Sequence, residues 1–284
     1  MKRLNKVEAL LGYKFSPLVK KTVYKGMRKK PISPLELKNA SDLTDRDLTN
    51  VKFVAHRGLS GVNPENTAPA FIAAGEQGGY YGFECDTHMA KDGVWMVVHD
   101  PNLDSLFNGE GDVKDFTSEE LFKLKMLRGA NIGKHLDVKM CTLQEYVDIC
   151  KKYNARPVIE IKDPRVETMK SFYDFLVRNN LLESAVVISF ILEDLIELNK
   201  MDKNLETWYL VDYLDNKNIQ QAIDAGCKGM DFSETFNASR PDWIKKVTDA
   251  GLVAACWTVD TKVQLEDMLS AGVTVITTNS ILPR

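Results

Sequence analysis

Cysteine, long apolar runs and net charge are all scarce in this chain of 284 residues. Its five cysteines, Cys85, Cys141, Cys150, Cys227 and Cys256, are odd in number and lack the close spacing of zinc ligands. That pattern excludes a disulfide framework and points to reduced core residues. No apolar run approaches the roughly 18 residues that a membrane-spanning helix requires. The amino terminus is basic but does not continue into an apolar stretch of signal length, so a cytoplasmic location is expected. What remains is an ordinary globular mix, 27% charged and 44% hydrophobic. Its length suits one α/β barrel of roughly 250 residues with an appendage.

The formal net charge of −3 hides an asymmetry. Residues 1–30 carry ten Lys or Arg against the single acid Glu8, which puts +9 on this arm and −12 on the rest. Leu11, Phe15, Leu18, Val19, Val23 and Met27 recur at helical steps, and Ser16-Pro17 makes a helix start, predicting short helices over about 5–11 and 17–28. Their apolar face would pack on the main domain or on a second copy as a homodimer contact; the alternative is a peripheral membrane helix. Nucleic acid is excluded as a partner of the main domain, because nothing downstream has the form of a nucleic-acid module. Residues 30–50, polar and with two prolines, read as a linker, making 1–50 an extension and 51–284 the main domain.

From residue 51 a strand-then-helix rhythm begins. Strands are expected at 51–55, 82–86, 157–161, 185–190, 206–211, 228–232, 253–258 and 273–277, with amphipathic helices between them. Eight such units close an α/β fold of the (β/α)8 TIM-barrel type, whose site lies at the carboxyl ends of the strands. His56 and Arg57 would then end the first strand, Glu84 and Asp86 the second, and Glu160 and Lys162 the third. Each spaced pair shares a strand face. Trp257 lies near the end of the seventh strand.

Residues 94–98 follow the second strand too closely for a parallel crossover and must return antiparallel. With Asp92-Gly93 as a two-residue turn, His99 is expected directly opposite Asp86. Residues 100–141 then read as a small insertion over the site, with a capping-box helix start at Thr117 to Glu120. The stretch 55–100 thus supplies two histidines, an arginine and two carboxylates. These are the groups that metal-assisted phosphodiester cleavage uses for proton transfer, phosphate binding and cation binding.

In order, the chain carries His56-Arg57-Gly58, Pro64-Glu65-Asn66-Thr67, Glu84-Cys85-Asp86, an Asp92-Gly93 turn, Val97-Val98-His99-Asp100, Ile159-Glu160-Ile161-Lys162 and Trp257-Thr258-Val259-Asp260. This series resembles the glycerophosphodiester phosphodiesterase family over about 51–280. The resemblance implies hydrolysis of small-molecule glycerophosphodiesters to glycerol 3-phosphate and an alcohol, assisted by one divalent cation. It implies Glu84, Asp86 and Glu160 as metal-binding carboxylates, and an all-oxygen set favours a hard ion, Mg2+ or Ca2+. It also implies His56 and His99 as the acid and base pair, with the starting base left open.

Arg57 and Lys162 suit phosphate oxygens, although Arg57 also suits a structural pair with a metal-binding carboxylate. Glu65 and Asn66 read as residues that support the metal-binding set, with a direct bond to the ion as the alternative for Glu65 and a helix cap as that for Asn66, and Trp257 reads as a wall of the glycerol pocket. His88 is left out of catalysis. Two departures from the family pattern stand out: the run Asp104 to Gly109 lacks the usual arginine, and Thr278-Asn279 replaces Thr-Asp, a change expected to weaken a hydrogen bond near the site. A lysophospholipid- or phospholipid-cleaving enzyme of the same superfamily, with the basic arm as membrane contact, is the competing reading. A non-catalytic barrel would have lost a histidine or carboxylate, and none is lost.

Overall fold

The structure, a computed structural model, describes residues 32–283. The chain divides into two units, 1–33 and 34–284. The helices expected over 5–11 and 17–28 lie outside the described residues, and every described strand and helix belongs to the second unit. None of its helices is long and apolar enough to cross a membrane.

The first short strand, β1 (Lys38–Asn39), precedes a single helical turn, Ala40–Leu43. Eight strands then form a closed parallel barrel: β2 (Lys52–Ala55), β3 (Gly82–Met89), then, past the antiparallel β4 (Trp95–Val97) and β5 (Cys141–Thr142), β6 (Arg156–Ile161), β7 (Val186–Ser189), β8 (Glu206–Val211), β9 (Gly229–Ser233), β10 (Val253–Trp257) and β11 (Val275–Thr278). Pairing of β2 with β3 closes the ring. This is the expected (β/α)8 architecture, with the eight strands where the sequence placed them.

Barrel strands are buried on both faces, so they read as nearly continuous apolar runs. Phe53, Cys85, Ile159, Val187, Met230, Phe232 and Ile276 face outward into the main core under the helices. Val54, Val158, Val186, Ile188, Trp208, Leu210, Ala255 and Val275 face inward and fill the barrel. The register is offset by roughly one residue per strand, the stagger of an eight-stranded barrel. Inward side chains therefore stack in layers from alternate strands. Val54, Val158, Trp208 and Ala255 make one layer; Glu84, Ile188, Asp231 and Thr277 the next; His56, Glu160, Leu210 and Trp257 the one above, at the mouth.

Two expectations are corrected. The hairpin pairs Thr87 with Val97, His88 with Met96 and Met89 with Trp95, one residue out of the expected register. Ala90 and Val94 close a three-residue connection in which Gly93 takes φ 83°. The left-handed residue is thus the third of three rather than the second of two. Asp86 therefore lies across from Val98, whose N–H donates to its carbonyl. Because β4 ends at Val97, the direction of His99 is not governed by strand alternation.

The second correction concerns residues 34–50, which are not a linker. Lys38 and Asn39 pair in parallel with Ile281 and Leu282, the last strand β12 (Ile281–Leu282), and Ala40 and Leu43 are buried. A two-residue strand and a single helical turn are too short for periodicity to reveal. The insertion after β4 has its own small core around Met96, Leu103, Phe107, Leu121 and Met140. Within it the expected capping box of Thr117 and Glu120 opens the helix Ser118–Phe122.

Candidate active site

Glu84 and Asp86, two apart on β3, both point into the barrel mouth, and Asp86 is the register partner of Glu160 on β6. One ligand oxygen from each of the three lies within 4.8 Å of the others. All three are buried. Such a group is costly without cations, and the chain supplies two. Lys162 Nζ lies 2.6 Å from Glu160 Oε1 and 3.3 Å from Asp86 Oδ1; Arg57 Nε lies 3.1 Å from Asp86 Oδ2. Arg57 also donates from NH1 to Glu65 Oε1 at 2.8 Å and from its backbone N–H to Glu84 Oε2 at 2.9 Å.

The carboxyls respond unequally. Burial, and then the charge of Asp86, push Glu84 well above the usual carboxylate range. Burial also raises Glu160, against the opposing Lys162. Asp86 is held well below its ordinary value: burial would raise it, but Arg57, His99, Lys162 and the amide of Asn66 outweigh that. Two carboxyls pushed up beside one held down form a set that a hard cation would complete, since it would favour all three ionised forms at once.

The local backbone explains the fragment His56-Arg57-Gly58. Gly58 adopts φ 75°, and a Cβ there would meet the Ala70 carbonyl carbon at 2.6 Å. Only glycine lets this turn pass so close to the helix Ala68–Gln77. Arg57 itself takes φ 58°, which turns its guanidinium towards Asp86. Of the two roles open to Asn66, the cap falls to Thr67. At φ 58°, Asn66 donates from Nδ2 to Asp86 Oδ2 at 2.7 Å and accepts the Asp86 backbone N–H on Oδ1 at 3.2 Å. Glu65 touches Arg57 and is not among the three clustered carboxylates.

The two histidines have different partners. His56 Nδ1 lies 2.8 Å from Asn279 Oδ1, and its Nε2 faces Glu84 Oε2 at 3.9 Å. Asn279 donates from Nδ2 to Asp260 Oδ2 at 2.5 Å, which fixes which end of its amide meets the imidazole. Its Oδ1 is therefore an acceptor, so Nδ1 carries the hydrogen and Nε2 keeps its lone pair. Burial, reinforced by Arg57, lowers the His56 pKa to about 4. His99 instead has its Nδ1 2.8 Å from the Asp100 carboxylate. Burial would raise Asp100, yet the hydrogen bond and charge of His99 bring it to about 2. The buried His88 holds the hairpin, its Nε2 lying 3.2 Å from the His99 carbonyl oxygen.

Asn279 and Asp260 are the residues that sequence reasoning did not place. Asp260 accepts from Thr278 Oγ1, Asn279 N and Ser280 Oγ as well as from the Asn279 amide. The signal was present in the Asp260 of the last motif and in the unusual Thr278-Asn279, whose Asn279 anchors His56. Trp257 lines the mouth, edge-on to Phe190 with ring centroids 5.7 Å apart.

The model of the glycerophosphoryl diester phosphodiesterase family matches residues 56–282. A glycerophosphodiester phosphodiesterase of Caldanaerobacter subterraneus subsp. tengcongensis is 31% identical over 80% of this chain and 93% of its own. One from Bacillus subtilis is 26% identical over 87% and 89%. Among solved structures, an Oleispira antarctica phosphodiesterase in complex with the product sn-glycerol-3-phosphate superposes with a TM-score of 0.73 at 22% identity, covering 80% of this chain and 92% of that one. A glycerophosphodiester phosphodiesterase from Parabacteroides distasonis gives a TM-score of 0.69 at 28% identity, covering 81% and 93%.

Proposed function

The chain belongs to the glycerophosphoryl diester phosphodiesterase family, and on that footing we propose that it hydrolyses glycerophosphodiesters to glycerol 3-phosphate and an alcohol, using His56 as base, His99 as acid and one divalent cation at Glu84, Asp86 and Glu160. The observation that carries this reading is the contrast between the two histidines: one rests on a neutral amide, the other on a carboxylate, with the acidic cluster beside them.

Three carboxylate oxygens with no cysteine or histidine among them suit Mg2+ or Ca2+. The chemistry such an ion supplies is charge neutralisation at the phosphoryl oxygens and polarisation of the P–O bond. Everything else falls to the chain's own side chains. Lys162 and Arg57 hold the phosphate and stabilise the additional negative charge of the transition state. Arg57 serves both roles weighed for it, because its pairing with Asp86 and Glu65 aims the guanidinium into the mouth.

His56 Nε2, left unprotonated by Asn279, takes the proton of the glycerol 2-hydroxyl. That oxygen forms a new bond to phosphorus as the bond to the departing alcohol breaks, and His99 gives the alcohol its proton. A cyclic phosphate results. Water then attacks phosphorus while His99 takes its proton, and His56 returns a proton to the 2-oxygen. Asp100 suits His99 to the acid role by geometry, since its carboxylate meets Nδ1, fixes the ring and leaves Nε2 for the departing alcohol.

The test is glycerol 3-phosphate release from a panel of glycerophosphodiesters, after EDTA treatment and after Mg2+, Ca2+ or Mn2+ is restored. Activity that survives thorough removal of metal would refute the carboxylate assignment.

A further inference from the structure

The barrel interior holds a fourth carboxyl that the proposed reaction does not use. Asp231 lies on β9 between Met230 and Phe232, which face outward, so its own side chain points inward. It shares a layer with Glu84, Ile188 and Thr277, directly below the layer of His56, Glu160, Leu210 and Trp257. Only 3% of its surface is exposed, and its Oδ1 is buried without a hydrogen-bond partner. The other three interior carboxyls each take at least one hydrogen bond, from Arg57, Asn66 and Lys162 to Glu84, Asp86 and Glu160, and Asp86 Oδ1, which lacks one, still has Lys162 Nζ at 3.3 Å.

A second buried polar atom without a partner lies close by. Trp257 Nε1 is on β10, the strand beside β9, two residues beyond Ala255, which pairs with Asp231. Both side chains face the same interior space, on the wall opposite the acidic pair of β3. A buried polar atom without a partner costs roughly 1–3 kcal/mol. Two of them, on neighbouring strands and in successive layers at the floor of the mouth, mark a place where a ligand supplies the missing bonds. A carboxyl oxygen accepts a hydrogen bond and an indole N–H donates one. This set matches a hydroxyl, which both gives and accepts, better than it matches a cation or a second anion.

Position identifies which hydroxyl. His56, the base for the attacking 2-hydroxyl, shares a layer with Trp257 deep in the mouth, whereas His99 arrives from outside on the hairpin. The polyol portion of the substrate is therefore the part that reaches down towards β9, and the leaving alcohol points out under the insertion.

We propose that Asp231, together with Trp257 Nε1, binds the terminal hydroxyl of the substrate's glycerol moiety and so selects glycerol over smaller diols. The proposal rests on the phosphodiesterase reading of the site. Its test compares kcat/KM, with the activating divalent cation present, for glycerophosphocholine and for the matched diester in which propane-1,2-diol replaces glycerol. The second compound keeps the attacking hydroxyl and loses only the terminal one.

Wild type is expected to prefer the glycerol compound by roughly 10- to 100-fold, the scale of a hydroxyl hydrogen bond in a buried site. Asp231→Leu should bring that ratio to within about threefold of unity by slowing the glycerol compound alone, and Asp231→Asn, which can still bond a hydroxyl, should retain most of the preference. A wild type without the preference overturns the proposal, as does a pair of variants that slow both substrates equally. A wild type that cleaves neither compound would instead refute the reading of the reaction itself. Should Asp231→Leu not fold, Trp257→Phe, which removes only the indole N–H, should lower the ratio, and an unchanged ratio overturns the proposal.

Discussion

Asn279 meets His56 with its carbonyl oxygen, at 2.8 Å from Nδ1, because Asp260 holds the amide nitrogen at 2.5 Å on the other side. A neutral acceptor orients the imidazole and sets its tautomer without adding a charge that would stabilise the imidazolium.

Asn279→Asp should therefore move the acid limb of the kcat/KM profile to higher pH. A new negative charge beside His56 favours the protonated ring and raises its pKa from about 4, so the base is lost at a higher pH than in wild type. Asn279→Ala should leave the limb near its place and lower kcat by roughly 10- to 100-fold through misorientation of the ring. The pH–rate profiles of the three proteins check both statements.

Replacing either histidine by alanine should lower kcat by about 10²- to 10⁴-fold. The two losses are separable. With a nitrophenyl leaving group, which departs without protonation, His99→Ala should recover most of the rate of nitrophenol release in a single turnover and His56→Ala should not. Equal recovery of both would overturn the division into base and acid.

Divalent cation should raise the unfolding temperature, because binding to the native carboxylate cluster alone contributes about 2.7 kcal/mol at a hundred times Kd. Glu84→Gln and Glu160→Gln should each raise the stability of the metal-free protein, by removing a buried acid that competes with Asp86, and should each weaken the thermal response to Mg2+ or Ca2+. Thermal melts with and without the ion, at fixed ionic strength, measure this.

Gly58→Ala should destabilise the fold by about 1–3 kcal/mol or more, since φ 75° strains any other residue and the new Cβ would press on the Ala70 backbone. Urea unfolding gives the value. The same change should depress activity, because the turn at Gly58 comes directly after His56 and Arg57.

The barrel was legible because each parallel strand, packed on both faces, is written as a compact apolar run, and each crossover needs an amphipathic helix. Glu84, Asp86, Glu160 and Lys162 were legible as site groups because parity and strand ends suffice to place them. The hairpin register was not, because Asp92-Gly93 favours a two-residue turn and only the conformation of Gly93 decides between two residues and three. Nor was the partner of His56: it lies 223 residues away, and no local pattern carries that information. Asn66 was legible as a residue supporting the metal-binding set, but its bond was not: a position before a helix equally suggests a cap, and only its left-handed backbone turns it towards Asp86.

The short pairing of Lys38–Asn39 with Ile281–Leu282 bears on how this protein should be handled at the bench. β12 begins two residues after Asn279, Lys38 N–H donates to the Ser280 carbonyl, and Gly61 N–H donates to the Asn279 carbonyl while its own carbonyl receives Leu35 N–H. An expression clone trimmed to start at residue 51, where the barrel begins, would keep every residue proposed above to touch substrate. It would still remove the clasp that braces the His56 anchor, and a shortfall in turnover would then be mistaken for a chemical defect.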